Sequence, residues 1–185
     1  PIHRCEWCSD DPLYQDYHDN EWGVPIKDDK ALFEMLCLEG AQAGLSWITV
    51  LKKRERYRKV FHGFDIEKIA AMTDQALDGL LKDPGIIRNR LKVYGFRKNA
   101  RAYLEHFTGD QSFSDFIWSF VEYQPLINRP KTLSDVPATT ETSDKMSKAL
   151  KKKGFTFVGS TICYAFMQAA GLVDDHTRDC FRFNK

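Results

Sequence analysis

Apolar residues recur at helical spacing along nearly the whole chain, and no alternating run is long enough for a convincing sheet. After Asp28 and Asp29, residues Lys30 to Leu38 place Leu32, Phe33, Leu36 and Cys37 on one face. The acidic pair suits the positive start of a helix. Ser46 is a cap for a second helix from Trp47 to about Phe61, and Asp65 and Thr73 open shorter ones over Ile66 to Met72 and Asp74 to Lys82. Beyond Asp83-Pro84-Gly85 a longer helix is expected from about Arg88 to Phe107. Ser112 with Asp115 resembles a capping box before Phe113 to Tyr123. The proline-bearing stretch from Gln124 to Thr142 reads as one long surface loop. Ser143 then caps a lysine-rich helix ending at Gly154, and Ser160 or Thr161 begins a very apolar helix that Gly171 terminates. Phe155 to Val158 reads as a short extended link. The expected fold is all-α.

A chain of 185 residues, 43% hydrophobic and 29% charged, can bury a genuine core in one domain, which excludes collagen-like, disordered and small disulfide-framework chains. The apolar run Ile162 to Met167 is far too short to span a bilayer, and Arg4, Glu6, Asp10 and Asp11 stand where a signal peptide would be apolar. No membrane partner and a cytoplasmic location are expected. Net charge is only +1, but its distribution is uneven. Between Leu81 and Arg101, the basic residues Lys82, Arg88, Arg90, Lys92, Arg97, Lys98 and Arg101 face the single acid Asp83. Smaller basic clusters lie over Lys52 to Lys59 and Lys145 to Lys153. Any one is an ordinary solvated helix face; together they point to a polyanion.

Three constellations can carry chemistry. The segment Lys82 to Arg88, between two expected helices, fits a helix-hairpin-helix near residues 77–101. There Gly85 and Ile86 would bring backbone amides to a phosphate, with Arg88, Arg90 and Lys92 nearest the nucleic-acid backbone. A plain interhelical turn is the simpler alternative. Second, Cys5 and His18 with His176 and Cys180 supply two thiolates and two imidazoles, a set suited to tetrahedral zinc. Cys8 leaves the choice open, because Cys5-x-x-Cys8 is also half of a different zinc site or a redox pair, and His3 is nearby. Third, Trp7, Tyr14, Tyr17, Trp22 and Trp47 bracket the carboxylate Glu39 and the turn Gly40 to Ser46. Most of these rings lie in a polar stretch with little helical period, so a core stripe does not explain them. An aromatic cage around a flat cationic ring does, with Glu39 accepting from an exocyclic amine. Leu45, after Gly44 at a chain reversal, suits a wedge entering a base stack.

With these residues in place the chain resembles the Tag-type 3-methyladenine DNA glycosylases, bacterial enzymes of the helix-hairpin-helix superfamily. The resemblance runs almost end to end. It is carried by Cys5-Glu6-Trp7, Asp11-Pro12-Leu13-Tyr14, Tyr17-His18-Asp19-Asn20-Glu21-Trp22-Gly23, Leu38-Glu39-Gly40, Gln42-Ala43-Gly44-Leu45-Ser46-Trp47, Gly85-Ile86-Ile87-Arg88, Phe157-Val158-Gly159 and His176. It implies one structural zinc ion on Cys5, His18, His176 and Cys180, joining terminal segments 1–22 and 172–185 of a single domain, 1–185. In the implied pocket Glu39 and Tyr17 hydrogen-bond the base, Trp47 stacks on it, and Trp7, Tyr14 and Trp22 line the rest. The implied activity is removal of 3-methyladenine from alkylated duplex DNA in bacteria, associated with the nucleoid through that DNA and without strand cleavage; a monomer is the simplest expectation. The wider superfamily commonly uses an aspartate after its hairpin; none lies between Arg88 and Phe107, which agrees with the Tag-type pattern. Cys8 has no ligand role in that pattern. Two rivals share some of these features: a zinc-stabilised module that binds damaged DNA without catalysis, and a metal-dependent hydrolase or base deaminase.

Overall fold

A computed structural model describes residues 1–183. Residues 184–185, the end of the expected zinc-joining segment, lie outside the described residues. The described chain is built from ten α-helices: α1 (Pro12–Asn20), α2 (Asp29–Ala41), α3 (Trp47–Leu51), α4 (Arg54–Val60), α5 (Ile66–Ala70), α6 (Asp74–Leu80), α7 (Arg90–His106), α8 (Phe113–Ser119), α9 (Glu141–Lys152) and α10 (Ser160–Ala169). The all-α expectation holds in part: the fold is mostly helical. One addition is a two-residue parallel pairing of β1 (Leu126–Ile127) with β2 (Val173–Asp174). No helix among the described residues is long and apolar enough to cross a membrane.

Helix α2 is the central element. Leu32, Phe33, Leu36 and Leu38 are fully buried, and even its last residues Glu39, Gly40 and Ala41 are inside. From Met35 on every residue of α2 is buried, which drives this part of the helix to the middle of a helical stack, and α2 packs against α7, α8 and α10. Asp28 starts it, its carboxylate accepting from the amide of Ala31 at 2.9 Å. Asp65, Thr73 and Ser112 cap α5, α6 and α8 in the same way, as their sequence positions predict. At the end of α10, Gly171 has φ +74°, and a Cβ there would sit 2.3 Å from the nitrogen of Pro25. Only glycine fits both the turn and the close approach.

Four boundaries differ from the sequence expectation. Residues 12–20 form a helix in a stretch whose sequence shows little helical period: Pro12 is pre-set for a first turn, and Asp11 accepts from Leu13 N at 2.8 Å. The single helix expected from Trp47 to Phe61 is two, α3 and α4, broken at Lys52–Lys53. The break lets α4 brace the hairpin. Lys53 Nζ donates to Pro84 O at 3.1 Å, Arg56 pairs with Asp83 at 2.7 Å, and the Tyr57 hydroxyl accepts from Ile87 N. Helix α8 stops at Ser119 because Glu122 and Tyr123 take positive φ, and α9 is capped by Thr140, with Ser143 in the third turn position returning the bond to Thr140 N at 2.8 Å. The hairpin itself is α6, the turn through Gly85, and α7, which starts at Arg90 under an Asn89 cap.

Candidate functional site

Three elements aim aromatic rings at one cavity. Tyr14 and Tyr17, three apart on α1, share a face. Trp7 and Trp22 flank that helix, and Trp47 opens α3 just after the end of α2. All five rings line a cavity of about 270 Å³ together with Glu39. Trp7 lies 4.9 Å from Trp22 and 5.1 Å from Tyr14 between ring centroids, and Tyr17 lies 5.4 Å from Trp47. The sequence reading of an aromatic cage beside Glu39 therefore describes the geometry.

Four polar atoms around this cavity are unsatisfied. Glu39 Oε2, Gln42 Oε1, Trp7 Nε1 and Trp47 Nε1 are all buried without a hydrogen-bond partner among the described residues. Each such atom costs on the order of 1–3 kcal/mol unless something binds it. Two N–H donors and two oxygen acceptors around stacked rings suit a flat heterocycle that has both kinds of edge. Burial pushes the Glu39 carboxyl up to about 8, and burial with the neighbouring Glu39 charge raises Tyr17 well above its ordinary value. A cationic ring placed here would favour the ionised carboxylate and so offset part of the cost of burying it.

Sequence reasoning missed part of the lining. Gln42 stands out in the sequence only as part of a motif, although its place three residues after Glu39 puts both on one side of the helix end. Leu133, Val136 and Pro137 come from the expected surface loop, and Gln168, Asp175 and Thr177 from the C-terminal part. Nothing local in those segments marks them. Asp175 is buried and accepts from Asn128 Nδ2 at 2.7 Å, from Gln168 Nε2 at 3.0 Å and from the Tyr164 hydroxyl.

The chain termini meet behind Trp7 and Trp22. Cys5 Sγ, one ring nitrogen of His18 and Cys180 Sγ lie within 4.8 Å of one another, all buried. His176 stands beside them, its ring centroid 5.2 Å from that of His18, and its Nε2 is buried with no partner among the described residues. Both imidazoles are oriented by carboxylates: His18 Nδ1 lies 2.8 Å from Asp19 Oδ1 and His176 Nδ1 lies 2.7 Å from Asp174 Oδ1. That leaves the His18 Nε2 lone pair facing Cys180 Sγ, and the His176 Nε2 lone pair buried and free, the arrangement in which histidines ligate metals. The interaction between the two neighbouring thiols pulls Cys180 below its ordinary value and pushes Cys5 above it. The donor set fits zinc. Cys8, half-buried, lies outside this trio and bonds to Ser9 O.

The candidate DNA contacts separate into three kinds. Gly44 has φ +79° and open space around it, and Leu45 next to it is 44% exposed, so this turn is free to enter a base stack. Arg88 and Arg90 are exposed, Arg90 pairing with Asp78 at 3.0 Å and lying over the Tyr94 ring. The other three point inward. The Gly85 amide is taken by Asp83 Oδ1 at 2.7 Å, and the Ile86 side chain is 2% exposed in the core. Lys92 is buried, its ammonium held by backbone carbonyls. The basic residues Arg54, Arg56 and Arg58 of α4 are likewise occupied, by Glu21, Asp83 and Glu34.

Together the helical hairpin and an aromatic cavity with a buried carboxylate define a base-recognising protein of the helical glycosylase class. The chain belongs to the methyladenine glycosylase family, whose model matches residues 7–183. It is 59% identical over 179 residues to the DNA-3-methyladenine glycosylase 1 of Escherichia coli (strain K12), covering 97% of this chain and 96% of that protein. It is also similar to a crystal structure of 3-methyladenine DNA glycosylase I, at 58% identity and TM-score 0.96, over 97% of this chain and 99% of that one. A structure describing 3-methyladenine recognition by the Staphylococcus aureus enzyme matches at 41% identity and TM-score 0.95, covering 100% of this chain and 98% of that one.

Proposed function

We propose that this protein is a DNA-3-methyladenine glycosylase: it hydrolyses the N-glycosidic bond of 3-methyladenine turned out of alkylated duplex DNA, leaving an abasic site. The observation that carries this reading is the cavity in which aromatic rings surround a buried, unpaired Glu39 oxygen. Methylation at N3 gives the base a positive charge. The bond from the sugar carbon to the base is thereby weakened, and its electron pair leaves with the base, which departs neutral. Water adds its oxygen to the sugar carbon and loses one proton to solvent. Little acid catalysis is required. The pocket therefore acts by selection, with Trp47 and its neighbouring rings stacking on the charged base. Glu39 Oε2 accepts from the exocyclic amine, and Gln42 and Tyr17 complete the polar edge. Healthy adenine is neutral and would leave the Glu39 carboxylate without the charge that favours it.

The Gly44–Leu45 turn fills the gap left by the extruded nucleotide, and the hairpin with Arg88 and Arg90 holds the backbone. Cys5, His18, His176 and Cys180 would hold one zinc ion. Bound there it supplies cross-linking of the two terminal segments and no open coordination position. On this reading residues 1–185 act as one domain and one monomer at the bacterial nucleoid in the cytoplasm. The test is release of 3-methyladenine from methylated duplex DNA by wild type, Glu39→Ala and Trp47→Ala, each checked for folding by circular dichroism. Wild type releases the base and both variants lose release. DNA binding with no release by wild type would favour a non-catalytic module, and retained release in both variants would remove the pocket assignment.

A further inference from the structure

Lys92 lies in the first turn of α7, the second helix of the hairpin, yet its side chain points into the protein and is 8% exposed. Its ammonium donates to Ala41 O at 3.0 Å and also to Ala43 O. Ala41 is the last residue of α2, so the cation sits at the negative end of that helix, on carbonyls that no further turn satisfies. No carboxylate pairs with Lys92 among the described residues; the helix end is its counter-charge. Burial lowers the affinity of this ammonium for its proton.

The same seam is packed without slack. Gly40 and Gly95 close on Phe157 from two sides: a Cβ at Gly40 would lie 3.0 Å from Phe157 Cβ, and one at Gly95 3.3 Å from Phe157 Cδ2. Phe157 itself is held at φ 57°. Further along α7, Asn99 accepts from Thr156 N at 2.8 Å and donates to Thr156 O at 3.2 Å. Helix α7, the end of α2 and the 156–157 turn are therefore packed against one another, and Lys92 is the residue of α7 that reaches Ala43, next to the Gly44–Leu45 turn.

We propose that Lys92 is a positioning residue that ties the DNA-gripping hairpin to the end of the base-pocket helix, fixing Leu45 and Glu39 in register with the bound duplex. This rests on the glycosylase reading above. A lysine that neutralises a phosphate needs its ammonium in solvent; this one has exchanged water for two carbonyls whose placement sets both the wedge and the base-reading carboxylate. Its loss would leave DNA contacts and pocket each intact but out of alignment, which costs rate rather than either affinity.

The experiment compares full-length wild type, Lys92→Met and Lys92→Arg on a duplex carrying 3-methyladenine. Lys92→Met is expected to slow single-turnover release by about tenfold or more. The slope of log binding constant against log salt and the affinity for free 3-methyladenine stay those of wild type. Lys92→Arg, whose fork can still reach two carbonyls, recovers part of the rate. A salt slope smaller by about 0.9 would make Lys92 a phosphate contact and overturn the proposal. So would an unchanged rate, or a free-base affinity that falls in parallel with the rate. Should Lys92→Met fail to fold, reductive methylation of wild type without DNA decides: Lys92 stays unmodified while exposed Lys98 reacts, and equal modification of the two overturns the idea. A wild type that releases no base defeats the glycosylase reading instead, and the salt slope and methylation pattern still judge Lys92.

Discussion

His18 Nε2 and Cys180 Sγ stand 3.4 Å apart although 162 residues of chain separate them. A contact of that span closes nearly the whole polypeptide into a loop, and a metal across it would restrain the two terminal segments against fraying. The rings that touch this cluster are pocket rings: Trp7 lies 5.2 Å from His18 and Trp22 lies 4.7 Å from His176. We expect the protein as isolated to contain one zinc per chain by elemental analysis. Chelation should lower the melting temperature by about 10 °C or more, which corresponds to a few kcal/mol in a chain of this size. It should also weaken binding of free 3-methyladenine, because Trp7 and Trp22 lose their backing. Loss of base release with melting temperature unchanged would instead identify a catalytic metal.

Glu39 links the pocket to pH. Its carboxyl titrates near 8 in the folded protein and near 4.5 in the unfolded chain, because burial disfavours the charge. Between those values the native state binds more protons, so stability is at its full value below about 4.5 and falls as pH rises, by at most about 1.4 kcal/mol per pH unit, until it levels off above about 8. Urea unfolding of wild type and Glu39→Gln across this range should show that slope in wild type and its absence in the variant. Catalysis runs the other way. A cationic base pairs best with the ionised form, so kcat/KM should rise with pH along a limb whose apparent pKa is near 8, and Glu39→Gln should lack the limb. Identical pH profiles for the two proteins would sink the assignment.

Local chemistry explains what was legible in the sequence. Asp28, Asp65, Thr73 and Ser112 cap helices because a short polar side chain reaches an amide two or three residues on, and no distant partner alters that. Tyr17, Glu39 and Trp47 were visible because rings and a carboxylate occur where no core period accounts for them. Helix α1 was hidden for the same reason: Tyr14 and Tyr17 face a cavity, so the stripe that marks a helix is incomplete. The roles of Asp175, Leu133 and Lys92 depend on which segments meet. A lysine read as one of several in a basic run is indistinguishable from its neighbours until α2 supplies the carbonyls that bury it.

Leu45 is 44% exposed, and its amide is held by Gln42 O at 2.7 Å, so the side chain adds nothing to the core while its backbone is fixed. Leu45→Ala should therefore change folding stability by no more than about 0.5 kcal/mol. Its effect should appear only where a duplex must be opened. Release of 3-methyladenine from duplex DNA should drop, while release from a single-stranded oligonucleotide is unaffected, since that substrate has no stack to re-enter. Equal losses on the two substrates would mean that Leu45 does not act as the wedge.

The hairpin makes opposite demands on neighbouring residues. Arg88 is exposed, and no ion pair engages it among the described residues, whereas Ile86, two positions earlier, is 2% exposed. Arg88→Ala should leave stability almost untouched and reduce the salt slope of DNA binding by about 0.9, the change expected when one phosphate is no longer neutralised. Arg90→Ala should do less, because Asp78 at 3.0 Å already neutralises that guanidinium in part. Ile86→Ala should keep the slope and instead lower stability by about 2–5 kcal/mol in denaturant unfolding, through the hole it leaves beneath the turn. The two readouts exchange places if the side chain of Ile86 rather than that of Arg88 meets the DNA.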